Sequence, residues 1–161
     1  MSVNKFRPHV VVIPEDDANR EVMVGFYNHF AVADRCVFAA PPAGGWQHVL
    51  DVFKESYIQH LVRYEQAYVV MVMDFDGRVD RRQFVEQDVP GELRPRVFLI
   101  AWRDEPEHLK VELGISFSDI GERLADECSK GRLSLWNHRQ LDHNRNELAR
   151  IAAVTGILFA P

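Results

Sequence analysis

Three clusters of carboxylates each follow an apolar run, and together they have the composition of a hard-cation site. Glu15-Asp16-Asp17 follows HVVVI and Pro14, and Asp74-Phe75-Asp76-Gly77 follows YVVMVM. Asp104-Glu105-Pro106-Glu107 follows RVFLIAW and Arg103. Carboxylates gathered in one place repel one another unless protons or cations intervene. Oxygen ligands that leave room for water suit Mg2+, or Mn2+ in its place, commonly with a few carboxylates and the phosphate oxygens of a substrate. If Asp74-Phe75-Asp76 continues extended, its two aspartates project to one side and both meet one ion, while Phe75 points elsewhere. Gly77 then lets the backbone turn. An ion bridged to phosphate oxygens stabilises in-line displacement, and a neighbouring carboxylate moves the proton.

The elements that must position these acids are four β-type runs: His9 to Ile13, a weaker one from Asp34 to Ala40, Tyr68 to Met73, and Arg96 to Trp102. The first, third and fourth are continuously apolar, the pattern of strands buried on both faces. Helical stripes lie between them. Asn19 to Phe30 carries Val22, Met23, Phe26, Tyr27 and Phe30, and Trp46 to Tyr64 carries Val49, Leu50, Phe53, Tyr57, Leu61 and Tyr64. Arg78 to Gln87 reads as a short polar helix or turn. Helical pattern returns at Glu105 to Leu113, Asp119 to Ser129 and Arg145 to Val154. Asn144 and Glu147 fit a capping box for the last of these, and Gly156 fits its stop. Gly156 to Phe159 has the composition of a short final strand. The alternation predicts a single-domain, Rossmann-like open parallel sheet of about four strands with helices on both faces. Residues 1–113 would form the α/β core and 114–161 a C-terminal helical extension of the same domain. In such sheets ligands bind beyond the carboxyl ends of the strands, where the three acidic clusters fall.

A strand ending in a glutamate that opens a helix, then an apolar strand ending in Asp-x-Asp, resembles the Toprim domain. Topoisomerases, bacterial primases, overcoming-lysogenisation-defect nucleases and small RNA-maturing nucleases share that domain. The likeness runs from His9 to Leu113, about two-thirds of the chain. It implies that Glu15 serves as general acid or base and that Asp74 and Asp76 bind the metal. The Asp104 to Leu109 stretch is similar to the acidic helix start of the lysogenisation-type members, which makes Glu105 or Glu107 a further ligand. Asp16 stands where the family usually has a small residue. The expected function is Mg2+-dependent phosphoryl transfer on DNA or RNA, by a small nuclease or an accessory subunit, with an ATPase partner as found for some relatives. The chain is too short for the other domains of topoisomerases and primases.

Other readings of the same acids compete. The Glu15 to Met23 segment also looks like the start of a receiver domain, in which Asp74 would accept a phosphoryl group and the protein would regulate a partner. A Met-Pro pair after that aspartate, a Ser or Thr ending the fourth strand and a lysine ending a fifth are missing from the sequence. Val72 to Gly77 resembles the nucleophile motif of haloacid-dehalogenase phosphatases, but Arg78 stands where Thr normally follows. Aspartates after strands are also common helix caps, and Asp17 or Asn19 fits that role.

Arg78, Arg81 and Arg82 follow the Asp-x-Asp turn and could receive a phosphodiester backbone. The alternative is a solvated face paired with Asp80 and Glu86. Arg20 and Arg103 are open to the same two readings. The scattered histidines have no zinc spacing and read as surface or cap residues, and neither Cys36 nor Cys128 has an activating signature. Trp46, Trp102 and Trp136 read as packing residues rather than base-stacking platforms.

With 161 residues, 47% apolar and 27% charged, the chain suits one globular domain. No apolar run approaches the roughly 18 residues of a membrane span, no signal sequence is evident, and the two cysteines suit a reducing cytoplasm. The net charge of −5 argues against a generic nucleic-acid coat protein, which depends on many basic residues. It leaves room for a metal-dependent nuclease, whose carboxylates account for negative charge.

Overall fold

The structure, a computed structural model, describes residues 3–29 and 31–152. Four strands form one sheet in the order β2-β1-β3-β4: β1 (His9–Pro14), β2 (Val37–Ala39), β3 (Ala67–Asp74) and β4 (Val97–Trp102). Every pairing is parallel, with Val10 beside Val37 and Tyr68, and Val69 beside Val97. This is the single-domain Rossmann-like open sheet that the apolar runs predict. β2 is shorter than its sequence run. Arg35 takes a left-handed φ of 58°, so the chain is still turning where the pattern already reads as strand.

Strand residues alternate between two cores, which is why the runs are apolar throughout. Val10, Val12, Val70, Val72, Phe98, Ile100 and Trp102 face one side. Val11, Ile13, Val69, Met71, Met73, Leu99 and Ala101 face the other. The first side is covered by α1 (Asp17–Tyr27) and α6 (Phe117–Lys130). These two helices touch through glycines: a Cβ on Gly25 would collide with the Ser118 carbonyl, and one on Gly121 with the Val22 carbonyl. The second side is covered by α2 (Trp46–Val52), α3 (Ile58–Arg63) and α4 (Arg81–Gln87). A π-helical turn over Phe53–Tyr57 joins α2 to α3, so the Trp46 to Tyr64 stripe is one interrupted helix. α5 (Glu107–Leu113) follows β4, and α7 (Arg145–Ile151) closes the described chain. Phe30, Val154 and the Gly156 to Phe159 strand expectation lie outside the described residues.

The C-terminal region belongs to this core. Ile120, Leu124, Ala125, Trp136 and Leu141 are buried against the first side of the sheet. The expected capping box at α7 does not form, because its two residues serve the sheet instead. Asn144 makes no cap hydrogen bond. Its side chain bridges the Ala101 N–H (2.9 Å) and carbonyl (2.8 Å), while Glu147 accepts the Leu99 N–H at 2.7 Å. Arg82 donates to the Leu99 carbonyl (2.9 Å) and Arg150 to that of Val97 (3.1 Å). The open edge of β4 is thereby saturated by side chains, which leaves it no free ladder to offer another strand. Arg82 is thus a structural residue of this seam rather than a surface cation. His29 is likewise no surface histidine: it is buried and bonded to Asp126.

Candidate metal centre

The acid cluster forms because three loops end their strands at the same level. Asp74 is the last residue of β3 and is in register with Trp102 of β4. It continues the alternation of Val70 and Val72, so its side chain faces the α1 side and is only 7% exposed. The β3 and β4 loops remain tied together, with Phe75 N–H on the Trp102 carbonyl (3.0 Å) and Gly77 N–H on that of Arg103 (2.8 Å). Phe75 drops into the opposite core beneath Arg82 and His143, which pins the turn. Gln140 clasps Asp104 twice, accepting its N–H (2.9 Å) and donating to its carboxylate (2.8 Å). That clasp fixes the loop presenting the two glutamates beyond it.

Among the described residues one group of three acids could hold a metal ion. Carboxylate oxygens of Asp74, Glu105 and Glu107 all lie within 4.8 Å of one another. Glu15 approaches from β1 and accepts the Asp74 backbone N–H at 2.6 Å. Asp16, rather than Asp17 or Asn19, caps α1 by accepting the Asn19 N–H (2.9 Å). Asn19 is fully buried and donates its side-chain amide to both Asp16 and Asp74, at 3.0 Å each.

Asp76 does not join the group. Its φ of 50° ends the extended geometry, and its carboxylate, 62% exposed, pairs instead with Arg81 at 3.2 Å. The premise that two residues apart means one shared side fails where the backbone turns left-handed. Arg81 is largely buried, also donating to the Asp74 carbonyl (2.9 Å) and lying 4.8 Å over the Trp46 ring. Arg78 pairs with Asp80 in solvent, and Arg103 is held by Asp142. Arg20 on α1 is half-buried and makes no side-chain hydrogen bond among the described residues.

The acids outnumber the positive charges beside them, of which Arg81 opposes the shift of Glu15 and His108 that of Glu107. Burial pushes the Asp74 carboxyl up to about 8, helped by Asp16, Glu15 and Glu107 and opposed only by the Asn19 hydrogen bond. Glu15 is raised by burial and by Asp16 and Asp76, against the Asp74 N–H and Arg81. Glu107 is raised by burial, Glu105 and Asp16.

No protein-family model, curated protein or solved structure matches the chain. The site therefore stands on its own chemistry. Three buried side-chain polar atoms among the described residues lack a hydrogen-bond partner: Asn19 Oδ1, Glu107 Oε2 and Trp102 Nε1. Buried polar atoms are nearly always paired, so each of these three is open to a water, an ion or a ligand. Asn19 hydrogen-bonds Asp74, Glu107 belongs to the same acid group, and Trp102 is the ladder neighbour of Asp74. One of the three atoms, Glu107 Oε2, belongs to the acid group, whose three carboxylates form a donor set suited to a hard divalent cation. Asn19 escaped the sequence reading because a polar residue opening a helix reads as a cap. Only its place between two aspartates distant in sequence gives it away.

Proposed function

We propose that the protein carries out Mg2+-dependent phosphoryl transfer on nucleic acid, as a small Toprim-type nuclease or an accessory subunit. The observation that carries this reading is the convergence of Asp74, Glu105 and Glu107 within 4.8 Å, with an unpaired oxygen of Glu107 in the group. Asp74, Glu105 and Glu107 would hold the ion. Bound there, the cation would neutralise charge on a phosphodiester and polarise it for displacement by water. Glu15, with its raised pKa and its place at the rim of the cluster, is the group suited to take the proton from that water. Its hydrogen bond to the Asp74 N–H fixes its orientation. Asp76 and Arg81 form the outer lip, where Arg81 keeps one positive charge beside the acids.

The test is cleavage of single-stranded DNA, duplex DNA and RNA with Mg2+ and with Mn2+. Wild-type protein should cleave at least one of them. Glu15→Gln should lose about a hundredfold or more in rate, the usual contribution of a positioned proton carrier, and Asp74→Asn should lose metal binding too. A folded wild-type protein that cleaves none of them with either metal removes the enzyme reading.

One observation favours a second reading. The order β2-β1-β3-β4, with an acid ending β3, also describes the first four strands of a flavodoxin-like sheet. A receiver-like regulatory module would take a phosphoryl group on Asp74, and stable labelling of Asp74 by acetyl phosphate would establish it. Against it, every charge that shifts Asp74 is acidic, which repels an incoming phosphate unless a cation stands between them.

A further inference from the structure

A second recess lies on the opposite face of the sheet from the Asp74 side chain, is joined to the acid cluster through Arg81, and is built of different chemistry. Trp46 at the start of α2 and Phe84 on α4 line one cleft of about 360 Å³, together with Gln47, Leu50, Asp51, Gln87 and the ion pair of Lys54 with Asp88 (2.9 Å). Trp102 and Trp136 are buried packing residues as their sequence context suggests, but Trp46 is only half-buried. Phe84 is 55% exposed. Arg81 links the recess to the acids: it lies over the Trp46 ring and hydrogen-bonds the Asp74 carbonyl and the Asp76 carboxylate. Arg81 and Phe84 are three apart on α4 and so share a helix face.

We propose that this cleft receives one unstacked nucleobase of a single-stranded nucleic acid whose adjoining phosphate lies at the acid cluster. For the phosphate the inference rests on the metal-dependent reading above; for the base it rests on the cleft itself. The exposed Phe84 ring, together with the part of the Trp46 ring that Arg81 leaves uncovered, offers π surface on which any base can stack. Two primary amides offer both donors and acceptors to the edge of that base. Lys54 is neutralised by Asp88, so the recess favours a flat, hydrogen-bonding ring over a second phosphate. Its volume falls within the range of about 300–1,000 Å³ usual for small-ligand sites. A base inside a duplex has both faces covered and its edge paired, so only an unpaired strand or a flipped nucleotide can enter. With a net charge of −5 the chain offers little general attraction to a phosphate backbone, so contacts to the base carry more of the affinity.

The experiment measures fluorescence anisotropy of a short labelled oligodeoxynucleotide with Ca2+ supporting binding, and in parallel Mn2+ binding to the protein alone by electron paramagnetic resonance. Phe84→Ala should weaken oligonucleotide binding roughly tenfold, the scale of one lost base stack, while leaving Mn2+ binding and the circular dichroism spectrum unchanged. An abasic nucleotide moved along the strand should cause a similar loss at one position, and Phe84→Ala should add nothing to it, because both remove one contact. Gln87→Ala should change the ranking among the four bases. Equal affinity for intact and abasic strands at every position, or fully additive losses, overturns the base site. If Mn2+ fails to bind while the base effects persist, the metal centre falls and the cleft stands. The converse removes the cleft and leaves the metal centre.

Discussion

Asp74 and Glu147 are both buried carboxylates set against the same sheet, yet their surroundings are opposite. Glu147 lies along the β4 edge, where one oxygen accepts the Leu99 N–H and the other meets the Arg150 guanidinium. Around it Asn144, Arg82 and Arg150 complete a seam tied together by hydrogen bonds within the chain. Asp74 lies at the strand ends with a single amide donor to its side chain and Asp16, Glu15 and Glu107 as electrostatic neighbours. A satisfied network specifies structure, whereas an unsatisfied one holds local energy that a ligand can release. The seam holds the sheet together, and the strand ends are left for something outside the chain to complete.

The sharpest way to break this contrast is to remove each acid in turn. Glu147→Ala should destabilise the fold by about 3 kcal/mol, because it strands the Leu99 N–H and leaves Arg150 without its carboxylate. A urea titration measures it. Asp74→Asn in the same titration at neutral pH, without divalent ions, should be neutral or stabilising, since the amide keeps the Asn19 hydrogen bond and sheds the repulsion. Were Asp74→Asn the more damaging of the two, the strand-end acids would be structural after all.

The same contrast predicts opposite responses to pH. Asp74 has a folded pKa of about 8 against an ordinary 3.8, so between those values the folded chain holds a proton that the unfolded chain has lost. The stability it contributes is fully present below about pH 4 and is lost as pH rises to about 8. Asp74→Asn should flatten that fall, by up to a few kcal/mol. His143, in the seam, is held down to about 4 by burial, with Arg82 adding to it. It stays neutral when folded, so its stability contribution is present above pH 6.5 and is lost as pH falls through 4. Melting temperatures from pH 4 to 9 in wild type, Asp74→Asn and His143→Gln separate the two slopes. A divalent cation should raise the melting temperature more at pH 8 than at pH 5, because at the lower pH it must displace the Asp74 proton.

Much of this fold is legible in the sequence, and the limit of legibility has a physical form. Continuous apolar runs reveal strands buried on both faces, and the rule that ligands gather at strand carboxyl ends picks out Glu15, Asp74, Glu105 and Glu107. What escapes is whatever depends on partners distant in the chain. Asn144 and Glu147 spell a local capping box, yet the unpaired edge of β4 gives them better partners. Asp76 shares a motif with Asp74, but its left-handed backbone turns it out to Arg81. Trp46 abuts an apolar run as Trp102 does, yet its ring lies half-buried against Arg81 of α4 instead of within the core.

Gln140 lies where the two regions meet, and it gives the smallest but most discriminating effect. It is buried, receives the Arg103 N–H on its carbonyl and clasps Asp104 through both ends of its amide. If the seam positions the site, loosening this clasp must weaken the site more than the fold. Gln140→Ala should lower Mn2+ affinity about tenfold, as removal of a brace behind a metal ligand does, equivalent to about 1.4 kcal/mol. Its cost in stability should be nearer 1 kcal/mol, that of an ordinary hydrogen bond. Asp104→Asn alone, which leaves Gln140 an amide partner for the clasp, should retain most of the affinity. Unchanged Mn2+ affinity in Gln140→Ala would mean that Glu105 and Glu107 reach their positions without help from the C-terminal region. The strand ends and the β4 seam would then be neighbours without being coupled.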